Sequence, residues 1–210
     1  MNDSILEAAQ RELDERTARH RASIPSPLLS TDTMSYNSPA RIRSINISAH
    51  KGTRKTPVPS GTGYVVKQRG LEGDAHAGHW HRQVSLLAEE SIRTAQDRGL
   101  NVQDGDFGEN VTTEGIDLRA LPLGTQLRLG PEVLIEISQI GKVCHTRCAI
   151  YYLAGDCIFP HEGIFGVVLH GGNIYTGDAI EIVRRGDGTC EFTPREALSE
   201  IEQAKRDGTL

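Results

Sequence analysis

The sequence predicts a mainly β protein, a closed or nearly closed β-barrel with peripheral helices and added N- and C-terminal helices. Three observations carry that prediction. Short β-branched runs recur between Arg41 and Val183. Glycine supplies 22 of the 210 residues, many at turn positions such as Gly124, Gly130, Gly171-Gly172 and Gly177-Asp178. Helical periodicity is confined to three stretches. Many short strands with frequent Gly turns argue for a barrel over a layered α/β fold.

Residues 4–20 read as a helix, because Ser4 and Glu7 form a capping-box pair and Ile5, Leu6, Ala9 and Leu13 share a face. Pro25, Pro27 and Pro39, among many Ser and Thr, then mark a linker. Arg41 to Ser48 alternates with one slip at Ser44, which predicts a strand with a bulge. Gly63 to Val66 reads as a short strand. Val84 to Arg98 reads as a helix, with Ser85 as N-cap and Gly99 past its end. Phe107–Thr112, Thr125–Leu129, Val133–Ile140 and Ala179–Val183 read as strands. Thr193, Pro194 and Glu196 start a last helix, whose stripe is Ala197, Leu198, Ile201 and Ala204. The implied organisation is an N-terminal helix and linker (1–39), a β domain (40–185) and a helical extension (186–210).

Composition narrows the function. A hydrophobic share of 37% with 24% charged residues is that of a soluble globular chain, and no apolar run reaches the roughly 18 residues of a membrane helix. No secretory signal pattern opens the chain, and the cysteines are too sparse for a disulfide scaffold, so a cytoplasmic, reduced protein is expected. A net charge of -5 argues against nucleic acid as a partner. From Arg41 to Leu71 there is nevertheless no Asp or Glu, and seven cations: Arg41, Arg43, Lys51, Arg54, Lys55, Lys67 and Arg69. That stretch is either a solvated loop or an anion-attracting face.

Three constellations carry chemistry. The first is Gly73-Asp74-Ala75-His76-Ala77-Gly78-His79-Trp80-His81-Arg82-Gln83. Asp74 and His76 share a side of an extended segment, and Arg82 offers a planar fork for phosphate or carboxylate. The plain alternative is a polar loop whose histidines face water. The second is Gly105-Asp106-Phe107-Gly108-Glu109-Asn110, where an amide entering a strand can meet a heterocycle edge; a simple turn has the same pattern. The third is Gly141-Lys142-Val143-Cys144-His145-Thr146-Arg147-Cys148, with Cys157 beyond it, so three of four cysteines fall in fourteen residues. Neighbouring cations favour the thiolate, the form that attacks electrophiles and binds soft metals. Free cysteines are also common as small buried hydrophobes, the reading that suits Cys190. Cys144, Cys148, Cys157 and His161 form a possible metal set, but their spacing lacks the paired C-x2-C of structural zinc. Phosphate-loop, G-x-S-x-G, H-E-x-x-H and zinc-deaminase signatures all fail.

The ordered set Gly73-Asp74-Ala75-His76-Ala77-Gly78, Arg82-Gln83-Val84-Ser85-Leu86-Leu87, Gly108-Glu109-Asn110, Cys144, Gly163-Ile164-Phe165, Gly171-Gly172 and Gly177-Asp178 resembles the MOSC domain, the C-terminal domain of molybdenum-cofactor sulfurases, which also occurs as small stand-alone bacterial proteins. The resemblance spans roughly residues 40–185. It implies a β-barrel of the pyruvate-kinase-barrel-like kind. It also implies a pocket for the molybdenum cofactor (molybdopterin), or its tungsten form, and a reactive cysteine at Cys144. Many members carry Arg-x-Pro-Cys where this chain has Gly-Lys-Val-Cys.

On that resemblance, Cys144 would accept sulfur as a persulfide, or ligate the metal, with His145 and Cys148 assisting. Asp74, His76, Arg82, Gln83, Asn110 and Arg147 would line the cofactor pocket. The implied partners are a cysteine desulfurase, as a separate pyridoxal-phosphate donor, and a molybdoenzyme acceptor; a homo-oligomer through the N-terminal helix is also open. The alternatives are a non-catalytic cofactor carrier, a molybdenum-dependent reductase of N-hydroxylated compounds, and a small structural metal domain.

Overall fold

The computed structural model describes residues 39–144, 151 and 157–208. The expected N-terminal helix lies outside them, as do His145, Arg147 and Cys148.

The strands expected at Arg41–Ser48, Gly63–Val66, Thr125–Leu129, Val133–Ile140 and Ala179–Val183 form close to those bounds. β1 (Arg41–Ile47) bulges between Ile42 and Ser44, where its alternation slips. It is followed by β2 (Thr56–Pro57), β3 (Thr62–Val66) and β4 (Gly70–Leu71). Next come β5 (Val84–Ala88), α1 (Glu89–Asp97) and β6 (Val111–Glu114). A meander of β7 (Gln126–Leu129), β8 (Val133–Ile140) and β9 (Ile164–His170) follows, with α2 (Phe159–Glu162) before β9. The described chain ends with β10 (Gly172–Tyr175), β11 (Ile180–Arg184) and α3 (Arg195–Arg206).

Eight strands make one mixed sheet in the order β11-β7-β8-β9-β5-β6-β1-β2; β10, β3 and β4 make a second, antiparallel sheet. The expected barrel is not closed. Among the described residues its two ends meet at the isolated bridge between Arg41 and Ala179 and a few backbone hydrogen bonds beside it, because the far half of β1 turns to pair with β2 and β11 leaves Glu181 to Arg184 exposed. Pattern reading finds many short strands but does not report the ladder that a closed barrel needs.

Three further expectations change. Val84 to Ala88 is strand, and the helix starts at Glu89 with Ala88 as N-cap. A continuous apolar run reads alike as buried strand or helix; here β5 is buried on both faces, between parallel β6 and antiparallel β9. Ser85 is no cap: its hydroxyl donates to Asn110 Oδ1. Phe107 closes a turn, Gly108 to Asn110 is irregular, and the strand begins at Val111. At the last helix, Pro194 rather than Thr193 is the N-cap, and the Thr193 hydroxyl donates to the Ser138 carbonyl.

Two apolar clusters flank β5. Leu86 joins Ile42, Ile45, Leu127, Ile135, Ile137 and Val168 on one side. Leu87 joins Ile92, Phe107, Phe159 and Phe165 under α1 on the other. Burying each such side chain contributes about 1.5–3 kcal/mol. The second cluster, rich in Phe, forms the back wall of the cleft described next.

Candidate functional site

A cleft of about 170 Å³ opens over this aromatic cluster, lined by Lys55, His76, Trp80, Arg82, Lys142 and Phe165 among others. The 52–55 loop, the 76–82 loop before β5, the Gly105–Asn110 segment and the chain leaving β8 build it, with Ser85 of β5, Phe159 of α2 and Phe165 of β9 behind them.

Its floor is a polar network centred on Asp74. Lys55 Nζ donates to Asp74 Oδ1 at 3.0 Å, with both side chains only 1% exposed. The same carboxylate accepts the His76 N–H at 3.0 Å and the Ser48 N–H at 3.1 Å. Burial alone would raise the Asp74 pKa; the His76 imidazole beside it, the Lys55 charge and the two backbone donors outweigh that and hold it well below the usual carboxylate range. Asp74 therefore brackets two loops together. Gly105 fits under this loop because its φ is +88° and a Cβ there would stand 2.5 Å from the Lys55 carbonyl oxygen.

Glu109 lies wholly buried beside this pair. Its Oε1 accepts from Gly105 N–H and from the Thr112 hydroxyl, whereas Oε2 has no partner. Burial pushes its carboxyl up to about 7. Asn110 spends its amide on the scaffold: Oδ1 accepts from Ser85 N–H and hydroxyl, and Nδ2 donates to the Asn46 carbonyl. Gln83, expected at the cofactor, is buried away from the cleft, and its Oε1 accepts the Val168 N–H at 2.8 Å.

The walls differ. The Arg82 guanidinium lies 4.6 Å from the Trp80 ring centroid and 5.5 Å from that of Phe165. Its Nε is buried without a hydrogen-bond partner, and it makes no ion pair among the described residues. Burial lowers its pKa, opposed by the nearby Glu200 and Cys144. Lys142 Nζ stands 5.5 Å over Phe159. Trp80 is fixed by its Nε1–H to the His76 carbonyl at 2.9 Å.

Cys144 is exposed, three residues past Gly141. The approach to it is held by a polar chain. His81 Nε2 and Gln139 Oε1 are 2.7 Å apart, and Gln139 Nε2 donates to the Gly141 carbonyl at 2.7 Å. Because the amide NH2 faces a carbonyl, its oxygen faces His81, which places the imidazole proton on Nε2. Burial lowers the His81 pKa, which favours this neutral form.

Of the predicted site residues, the fold brings His76, Arg82 and Asn110 to one cleft, with Cys144 near Arg82 and Asp74 beneath. The acid-free stretch is no anion face as a whole: Arg41, Arg43, Arg54 and Lys55 each pair with a carboxylate distant in sequence. Sequence reasoning missed the roles of Lys55, Glu109, Phe159 and Phe165. Glu109 sat in a motif already singled out, but nothing local signals its burial.

The open mixed sheet carries an aromatic-backed cleft lined by the cations Lys55, Arg82 and Lys142, with the exposed Cys144 two residues past Lys142. A model of the MOSC domain matches residues 73–181, more than half of the chain, and the chain belongs to that family. Solved structures share the fold. YiiM from Geobacillus stearothermophilus is 23% identical, with a TM-score of 0.57 over 80% of this chain and 86% of that one. YiiM from Escherichia coli is 19% identical, with a TM-score of 0.55 over 81% and 92%. The YuaD protein of Bacillus subtilis is 22% identical, with a TM-score of 0.57 over 68% and 94%. No curated protein matches the chain. Among the described residues no helix is long and apolar enough to cross a membrane.

Proposed function

We propose that this chain binds the molybdenum cofactor at the cleft and carries sulfur on Cys144. Arg82 is the observation that supports this most: a guanidinium stacked beside Trp80, with a buried, unpartnered Nε, on the wall of the cleft. An unsatisfied buried donor costs about 1–3 kcal/mol, a cost that an anionic ligand removes.

The residues fit the phosphate end of such a cofactor: Arg82 and Lys142 suit its phosphate, and the Trp80, Phe159 and Phe165 rings hold these two cations in place. When bound, the cofactor supplies a molybdenum or tungsten centre able to accept sulfur. This chain's own step is thiol exchange. A donor persulfide, R–S–SH, reacts with Cys144–SH to give R–SH and Cys144–S–SH, with no net electron change. The donor is a separate persulfide-bearing protein of the cysteine desulfurase class, and the acceptor a molybdoenzyme. His145, Arg147 and Cys148 belong to this proposal as neighbours of Cys144 in sequence.

The test is metal and pterin content of natively purified protein, together with persulfide labelling, in wild type and Cys144→Ser. Sulfur carriage predicts a labelled Cys144 peptide in wild type and none in the variant. Pterin retained by Cys144→Ser with no persulfide in either protein would identify a plain cofactor carrier. Zinc or iron without pterin would overturn the cofactor reading.

A further inference from the structure

The cleft has room for a small ion whole, but for a pterin only in part. At about 170 Å³ it falls below the roughly 300–1,000 Å³ of sites that enclose drug-sized ligands. Its charges are arranged for such an ion. Lys55 is neutralised at 3.0 Å by Asp74, leaving Arg82 and Lys142 as the lining cations with no ion pair among the described residues. Trp80 and Phe165 lie against the Arg82 guanidinium, so the donors left for a ligand are those at its edge. That edge is a planar fork matched to two oxygens of one anion, whereas Lys142 supplies a point charge. The ring walls replace water on one side of Arg82, which strengthens its attraction for an anion.

We propose that this cleft binds a free tetrahedral oxyanion of the phosphate, sulfate or molybdate class as a complete ligand. Arg82 is the bidentate contact and Lys142 the second charge. The proposal shares with the functional reading above only the premise that the cleft is an anion site; it requires neither a pterin nor Cys144.

The experiment is titration calorimetry on the full chain with sodium phosphate, sulfate and molybdate, each at constant ionic strength, with phenyl phosphate as a monoester probe. At least one free ion should bind the wild type with one-to-one stoichiometry. Arg82→Ala and Lys142→Ala should each weaken it about tenfold or more, the loss of one charge-assisted contact. Arg82→Lys, which keeps the charge and removes the fork, should fall between. Circular dichroism confirms that each variant is folded.

Equal binding to wild type and Arg82→Ala would mean an adventitious ion only, and would overturn the proposal. Binding of phenyl phosphate without any free ion would overturn it too, while leaving the cofactor reading intact. The pterin content of native protein judges that second reading independently.

Discussion

The floor and the wall of the cleft hold comparable charges and treat them in opposite ways. On the floor, Lys55 and Asp74 are almost wholly buried, and every Asp74 oxygen is used. On the wall, Arg82 keeps a buried Nε without a partner and rests on rings rather than on a carboxylate. Pairing makes the floor part of the scaffold, since it ties the 48–55 loop to the 73–78 loop. Lack of pairing leaves the wall's charge for the proposed anion. The histidine–aspartate motif thus divides into two jobs that its contiguity in sequence hides.

The largest test of this contrast is Asp74→Ala. It leaves the Lys55 ammonium buried and unpaired, for which a loss of about 3–5 kcal/mol is expected. Urea unfolding at pH 7 measures it. A loss under about 1 kcal/mol would place Lys55 in water and erase the distinction between floor and wall.

Glu109 sharpens the same contrast through pH. Its folded pKa of about 7 exceeds the ordinary 4.5, so the folded chain binds more protons between those values. Stability therefore falls as pH rises from about 4.5 to about 7 and is level above, insofar as Glu109 sets it. Glu109→Gln keeps an acceptor for Gly105 N–H and cannot ionise. It should be more stable than wild type at pH 8, by on the order of 3 kcal/mol, and nearly equal to it at pH 4.5. Asp74 works in the opposite direction: its lowered pKa contributes stability above its ordinary value that is lost in acid. Parallel curves for wild type and Glu109→Gln would mean that Glu109 reaches solvent.

How much of this was legible in the sequence follows from range. Val133 to Ile140 was readable as a strand because local β-branched density decides it. Arg82 and Cys144 were readable as candidates from composition and resemblance, and the fold lines the cleft with Arg82 and leaves Cys144 exposed. β9 was not foreseen, although Ile164 to His170 is the strand that joins β8 to β5. Its short apolar run lacks alternation, because both faces are buried. Barrel closure depends on register between Arg41 and Ala179, residues 138 positions apart, which no local pattern encodes. The same holds for the roles of Asn110 and Gln83: a polar side chain announces donors and acceptors, and only the fold decides whether scaffold or ligand takes them.

A middle-sized effect tests the route to Cys144. Gln139→Leu removes the bond from His81 and the one to the Gly141 carbonyl. A loss of about 1–3 kcal/mol is expected, the range for leaving buried partners unsatisfied. Alkylation of Cys144, followed peptide by peptide, should change in rate as its approach loosens. An unchanged rate would mean that the residues after Gly141 are set by other contacts.

The smallest expected stability effect falls on the wall. Arg82→Met keeps an apolar stem against Trp80 and Phe165 and deletes the unpartnered guanidinium. The lost ring contact, about 0.5–2 kcal/mol, is offset by relief of the buried Nε–H. A net change within about 1 kcal/mol in urea unfolding is expected, the mark of a charge held for a ligand. A cost approaching that of Asp74→Ala would assign Arg82 to the scaffold, and the wall would then be built on the same principle as the floor.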